Sequence, residues 1–102
     1  MSILHAPARV IIEDIERFAA SYPNPAGIPW NSRVDAGEKK GSYVVRTWNG
    51  KAHNEHLCWV NFNVQQGKES TRYVSHTCAP GHISLKVKRH IVNSLKATHG
   101  SE

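Results

Sequence analysis

Lys86, Arg89 and Lys96, with His90 and Asn93 between them, recur at spacings that project from one side of a helix, and no Asp or Glu occurs from Ser70 to Ser101 to neutralise them. A row of cations of this kind follows a phosphate backbone, and each contact releases a counterion, so binding falls steeply with salt. The distribution of charge agrees: the net charge is +5, and residues 1–40 carry five Lys/Arg against five Asp/Glu. The excess therefore lies in residues 41–102, where eight basic side chains face only Glu55, Glu69 and Glu102. A basic half beside a neutral half points to a polyanionic partner on one surface; the plainer reading is a charge that keeps a small protein soluble. Lys88 completes the phosphate-contact candidates, although it falls within the apolar arc of the same helix, and Arg46, Lys51, Lys68 and Arg72 add positive charge at sheet edges and turns.

His56-Leu57-Cys58 and His76-Thr77-Cys78 each place two metal-ligand types on one strand face, because residues two apart point the same way. Brought together by a hairpin, His56, Cys58, His76 and Cys78 would make a tetrahedral Cys2His2 zinc site, with His53 and His82 as spare ligands. The spacing fits no finger or ribbon pattern, and Cys58 shares its face with Val60, Phe62 and Val64, so the expectation is that no cofactor is bound and that the cysteines are reduced core residues. The seven histidines also raise acid–base chemistry, since a metal-independent ribonuclease needs two imidazoles poised near neutrality. His53 with His82 or His76 is the pairing to consider, but nothing in the spacing converges them on one atom. Glu13, Asp14 and Glu16 on the first helix are expected only to solvate it.

Three tryptophans in a chain of 102 residues suggest a further use, because indoles anchor protein interfaces and stack on bases. Trp59 alternates out of phase with the apolar face of its strand, so Trp59 and Tyr73 are candidates for stacking or an interface on an open sheet face. Trp30, in the middle of the long loop, either is a third interface candidate exposed for a partner or packs on the core, and packing is the expectation.

The elements that must position these residues follow from periodicity. Pro7 to Tyr22 is an amphipathic helix, with Ile11, Ile15, Phe18, Ala19 and Tyr22 at three- and four-residue spacing, started by Pro7 and ended by Pro23. Pro23 to Gly41, dense in Pro, Gly, Asn and Asp, reads as one long loop ending in a solvated Glu38-Lys39-Lys40 turn. Ser42 to Trp48 is a first strand rich in β-branched and aromatic residues, closed by Asn49-Gly50. His56 to Val64 and Ser70 to Cys78 form a hairpin around Gln65–Glu69, and Pro80-Gly81 ends it. A helix is expected from about Ser84 to Ala97, with Ser84 as its N-cap and Ile83, Leu85, Val87, Ile91, Val92 and Leu95 on its apolar arc. Residues 98–102 make a polar tail.

The result is a single α+β domain: N-terminal helix, long loop, three-stranded antiparallel sheet, and a C-terminal helix on one sheet face. At 102 residues the chain suffices for one core. No apolar run approaches the ~20 residues that span a bilayer, and the first ten residues lack a cationic segment followed by an apolar block, so no membrane partner and a cytoplasmic location are expected.

Helix, three strands, helix is also the order of the double-stranded RNA-binding domain, which the chain resembles over roughly residues 43–96. Gly50-Lys51-Ala52-His53 looks like that family's turn between the first two strands, with Lys51 in place of its usual Pro, and Ser84 to Arg89 looks loosely like its basic helix start. The likeness is one of shared topology; it implies phosphate contacts from Lys51, His53 and the helix to duplex RNA. The resulting expectation is a non-catalytic nucleic-acid-binding domain using Lys86, Lys88, Arg89, Lys96, Lys51 and His53. The alternative is a protein-binding inhibitor or accessory module of the compact kind that phages and mobile elements encode, zinc-stabilised if the His and Cys pairs converge, and the third reading is a small metal-independent ribonuclease.

Overall fold

The computed structural model of the chain describes residues 4–22, 30–49, 58–79 and 82–100, with the backbone alone described at Asn49, Cys58, Tyr73, His82 and Ile83. Its elements are α1 (Ala8–Ser21), β1 (Trp30–Ala36), β2 (Ser42–Asn49), β3 (Cys58–Gln66), β4 (Thr71–Cys78) and α2 (His82–His99). The strands form one antiparallel sheet in the order β1-β2-β3-β4, so every connection is to a neighbour.

α1 forms where its apolar residues repeat, burying Ala8, Ile11, Ile15 and Ala19 on one stripe. Pro7 is its N-cap and has no hydroxyl to offer the first turn. Another element supplies the missing acceptor: the Ala8 amide donates to Gln66 Oε1 at 2.6 Å, tying the helix start to the end of β3. The Asp14 carboxylate is turned inward rather than solvated, at 9% exposure, which corrects the expectation for this residue. It accepts from Arg17 Nη2 at 2.8 Å and from His99 Nε2 at the far end of α2. A buried carboxylate is tolerated here because the Arg17 guanidinium and the His99 imidazole both meet it.

The segment read as one long loop contains a strand. β1 pairs with β2 over its whole length, from Trp30 opposite Asn49 to Ala36 opposite Tyr43. Its sequence, WNSRVDA, lacks a β-branched run, but an edge strand needs only a template for its backbone, and β2 provides one. The β1–β2 turn closes through Gly37 N–H to Ser42 O at 2.8 Å and Ser42 N–H to Lys39 O at 3.0 Å. Gly41 sits there at φ 82°, a conformation open to glycine at little cost. Glu38, Lys39 and Lys40 are exposed, as a solvated turn should be.

The β3–β4 hairpin lies where the alternation put it, with a register shift at Gln65/Gln66 and the turn held by Gly67 N–H to Ser70 O at 2.7 Å. Opposed residues in an antiparallel pair point to one side. One face of the sheet thus carries Val45, Thr47, Val60, Phe62 and Val64, all buried, and both helices cover it. Thr47 is the polar member of this set, and its hydroxyl is satisfied by Val60 O at 2.9 Å.

α2 buries Ser84, Val87, Ile91 and Leu95 against that face. It begins two residues before Ser84, so Ser84 lies inside its first turn, packed at 2% exposure, and is not the N-cap. Leu85 lies off the buried stripe and is 39% exposed, whereas Lys88 is half-buried. The helix continues through the expected polar tail to His99, because Gly100 pairs with Leu4 in a bridge and His5 N–H donates to His99 O at 2.9 Å. Leu4 bridges Thr71 as well, and Thr71 Oγ1 donates to Ala6 O at 2.9 Å, so the N-terminal segment is stitched between the start of β4 and the end of α2. Among the described residues no helix is long and apolar enough to cross a membrane.

Candidate nucleic-acid interface

The cations of α2 divide by their place on the helix. Lys86, Arg89 and Lys96 are exposed, while Lys88 lies half-buried at the border where α2 meets β4. The same border holds His76, which is opposite Phe62 in the β3–β4 register and therefore points to the helix-covered face. Its ring meets the Phe62 ring edge-on, with centroids 6.1 Å apart. Burial, and then the nearby positive charge of Lys88 and more weakly of Lys96, push the His76 imidazole below its ordinary pKa. Lys88 and Lys96 therefore bring positive charge beside β4, and the sequences of β4 and α2 contain no carboxylate.

Trp59 lies directly opposite Trp48 across β2 and β3, on the sheet face away from the helices, and both are half-buried. The residues that share this face form transverse rows: Asn31, Trp48 and Trp59; then Arg33, Arg46, Asn61 and Thr77; then Asp35, Val44, Asn63 and Ser75. Within it, Arg46 Nη1 donates to Asp35 Oδ2 at 2.5 Å and Arg33 Nε reaches the same carboxylate at 3.1 Å. The alternation of Arg33 and Asp35 two residues apart is the signal that could have shown this cluster in the sequence, had the segment been read as a strand.

Tyr73 pairs with Gln65 through its backbone. Trp30 lies at the start of β1 and packs against the core. Lys51, His53 and His56 lie outside the described residues, as do the expected turn at Asn49-Gly50 beyond Asn49 and the Pro80-Gly81 break.

Of the four suggested zinc ligands, His56 lies outside the described residues, and the register does not set Cys58 directly across from His76 or Cys78. Cys78 is opposite Val60 and His76 opposite Phe62, so neither faces Cys58 across the hairpin, and the backbones of Cys58 and His76 are offset by four residues. Cys78 is a free thiol packed against the core. Among the described residues no group of three His, Cys, Asp or Glu is placed to hold a metal ion.

Comparison with protein-family models, with curated proteins and with solved structures finds no match to this chain. The order of elements also departs from the double-stranded RNA-binding domain, since β1 adds a strand between the first helix and the strand that the resemblance took as first.

Proposed function

We propose that this chain is a small non-catalytic nucleic-acid-binding domain that grips phosphates along the α2–β4 border. Lys86, Arg89 and Lys96 contact the phosphates first, with Lys88 behind them and Lys51 and His53 adding from the segment between β2 and β3. The observation that supports the reading is the acid-free sequence of β4 and α2, with Lys86, Arg89 and Lys96 exposed on the helix and Lys88 and Lys96 acting on His76 of β4. Four phosphate contacts give a log-affinity slope against log salt of about −3.6 on a duplex and about −2.8 on a single strand.

The test is a fluorescence-anisotropy titration against duplex RNA, duplex DNA and single strands at several salt concentrations. Lys86→Glu with Arg89→Glu, both at exposed positions, should abolish binding at physiological salt while the circular dichroism spectrum stays unchanged. Unchanged affinity and slope in that variant would remove the proposal. A protein-binding accessory role is the second reading, favoured by β1, the outermost of the described strands, where Val34 is 40% exposed.

A further inference from the structure

The open face of the sheet holds a hollow of about 600 Å³ lined by Arg33, Asp35, Ala36, Val44, Arg46 and Trp48. Its chemistry is specific: an indole wall, two guanidiniums and one carboxylate on the open β surface. Asp35 takes the Nε–H of Arg33 and an Nη1 hydrogen of Arg46, which orients both forks while leaving their other N–H groups uncommitted to that carboxylate. The Arg33 side chain is 70% exposed, so its remaining donors face outward. Two cations against one anion leave a positive excess beside an aromatic plane. That combination suits a nucleobase stacked on the ring with its phosphate on a guanidinium.

We propose that this hollow is a base-stacking subsite for single-stranded nucleic acid, with the base against Trp48 and the adjoining phosphates on Arg33 and Arg46. The inference deepens the phosphate-binding reading and rests on it. A duplex keeps its bases stacked inside and cannot present one to an indole on an open sheet, which makes the unpaired strand the substrate class. From Trp48 such a strand crosses the polar positions Asn61, Asn63, Ser75 and Thr77 to reach β4. That is two interstrand steps, about 10 Å, and it ends at the border where Lys88 and Lys96 stand.

The experiment is a tryptophan-fluorescence titration of the whole chain with a 12-residue oligo-uridine, an abasic oligomer of the same length, and a 12-base-pair RNA duplex. The uridine oligomer should bind saturably and quench the indole emission, with the abasic oligomer weaker by about tenfold, the order of one lost stacking contact. Trp48→Ala should weaken oligo-uridine binding by about tenfold with the salt slope unchanged, and Trp48→Phe should restore most of it. Arg33→Ala, at an exposed position, should reduce the slope by about 0.7 and keeps the inference testable if Trp48→Ala does not fold. Equal affinity for the uridine and abasic oligomers, or wild-type affinity in both Trp48→Ala and Arg33→Ala, overturns the subsite and leaves the α2–β4 reading standing. Failure of every oligomer to bind at low salt overturns both.

Discussion

Removing the carboxylate of Asp14 is the sharpest probe of how the two helices are held. The group sits between them with its side chain 12% exposed, and it accepts from two donors of very different surroundings. Arg17 is one helical turn away and 65% exposed, so water and salt screen that limb and it is worth a few tenths of a kcal/mol. His99 is 14% exposed, and with a proton on Nε2 it donates to the carboxylate. A hydrogen bond to a charged acceptor in such a site contributes about 1.5–3 kcal/mol. Asp14→Ala should therefore cost roughly 2–3 kcal/mol, nearly all of it through His99. Against a total of about 5–15 kcal/mol for a domain of this size, that lowers the melting temperature by about 8–20 °C. The assay is urea unfolding at pH 7 for the single variants Asp14→Ala, His99→Ala and Arg17→Ala and for the two double variants that contain Asp14→Ala. The cycle with His99 should return a coupling of about 1.5–3 kcal/mol, and the cycle with Arg17 less than about 0.5. A His99 coupling near zero, or one no larger than that of Arg17, would refute the reasoning.

Two further perturbations test the packing beneath the border. The His76 pKa is lowered in the fold, so the unfolded chain takes up the proton first; the contribution of His76 is intact above about pH 6.5, is lost as pH falls below that value, and levels off once the folded form is protonated too. Unfolding of wild type and His76→Gln from pH 8 to pH 4.5 should show the wild type losing more stability on acidification, and parallel curves would contradict the burial beside Lys88. Phe62 is fully buried at the centre of the sheet, and Phe62→Ala should cost about 3–5 kcal/mol in the same urea assay; a loss below about 1 kcal/mol would mean that the core is not organised around it.

What could be read in advance divides by the strength of local signals. The helix at Ala8–Ser21 and the hairpin β3–β4 carry strict periods of 3.6 and 2 over many residues, and they lie where the spacing put them. β1 was missed because its residues satisfy no local pattern: Asn31, Arg33 and Asp35 face the open side, and Pro29 and Gly37 bracket it as loop punctuation. Pairing with β2 decides its conformation, and pairing is non-local. The same cause hid Asp14, whose partner His99 is 85 residues away, so that a carboxylate on an amphipathic helix read as solvent-facing. It also hid the Arg33–Asp35–Arg46 cluster, which exists only once β1 lies beside β2. The exposed cations of α2 were legible because a polar helix face needs no partner to form. Lys88, within the apolar arc, takes the half-buried place that its helical angle implies.

The bridges from Leu4 to Thr71 and to Gly100 bring residues from opposite ends of the described chain within one hydrogen-bonded corner. A fold closed in this way tolerates a change of connectivity: a short linker across that corner would join Leu4 to Gly100, and the chain could be opened instead at the exposed Glu38–Lys40 turn with no buried element cut. Covalent closure of a loop of about 100 residues removes unfolded-state entropy equivalent to roughly 4–5 kcal/mol on the chain-entropy account. For the same reason residues 4–100 could be carried within a surface loop of another protein, because Leu4 and Gly100 already lie side by side.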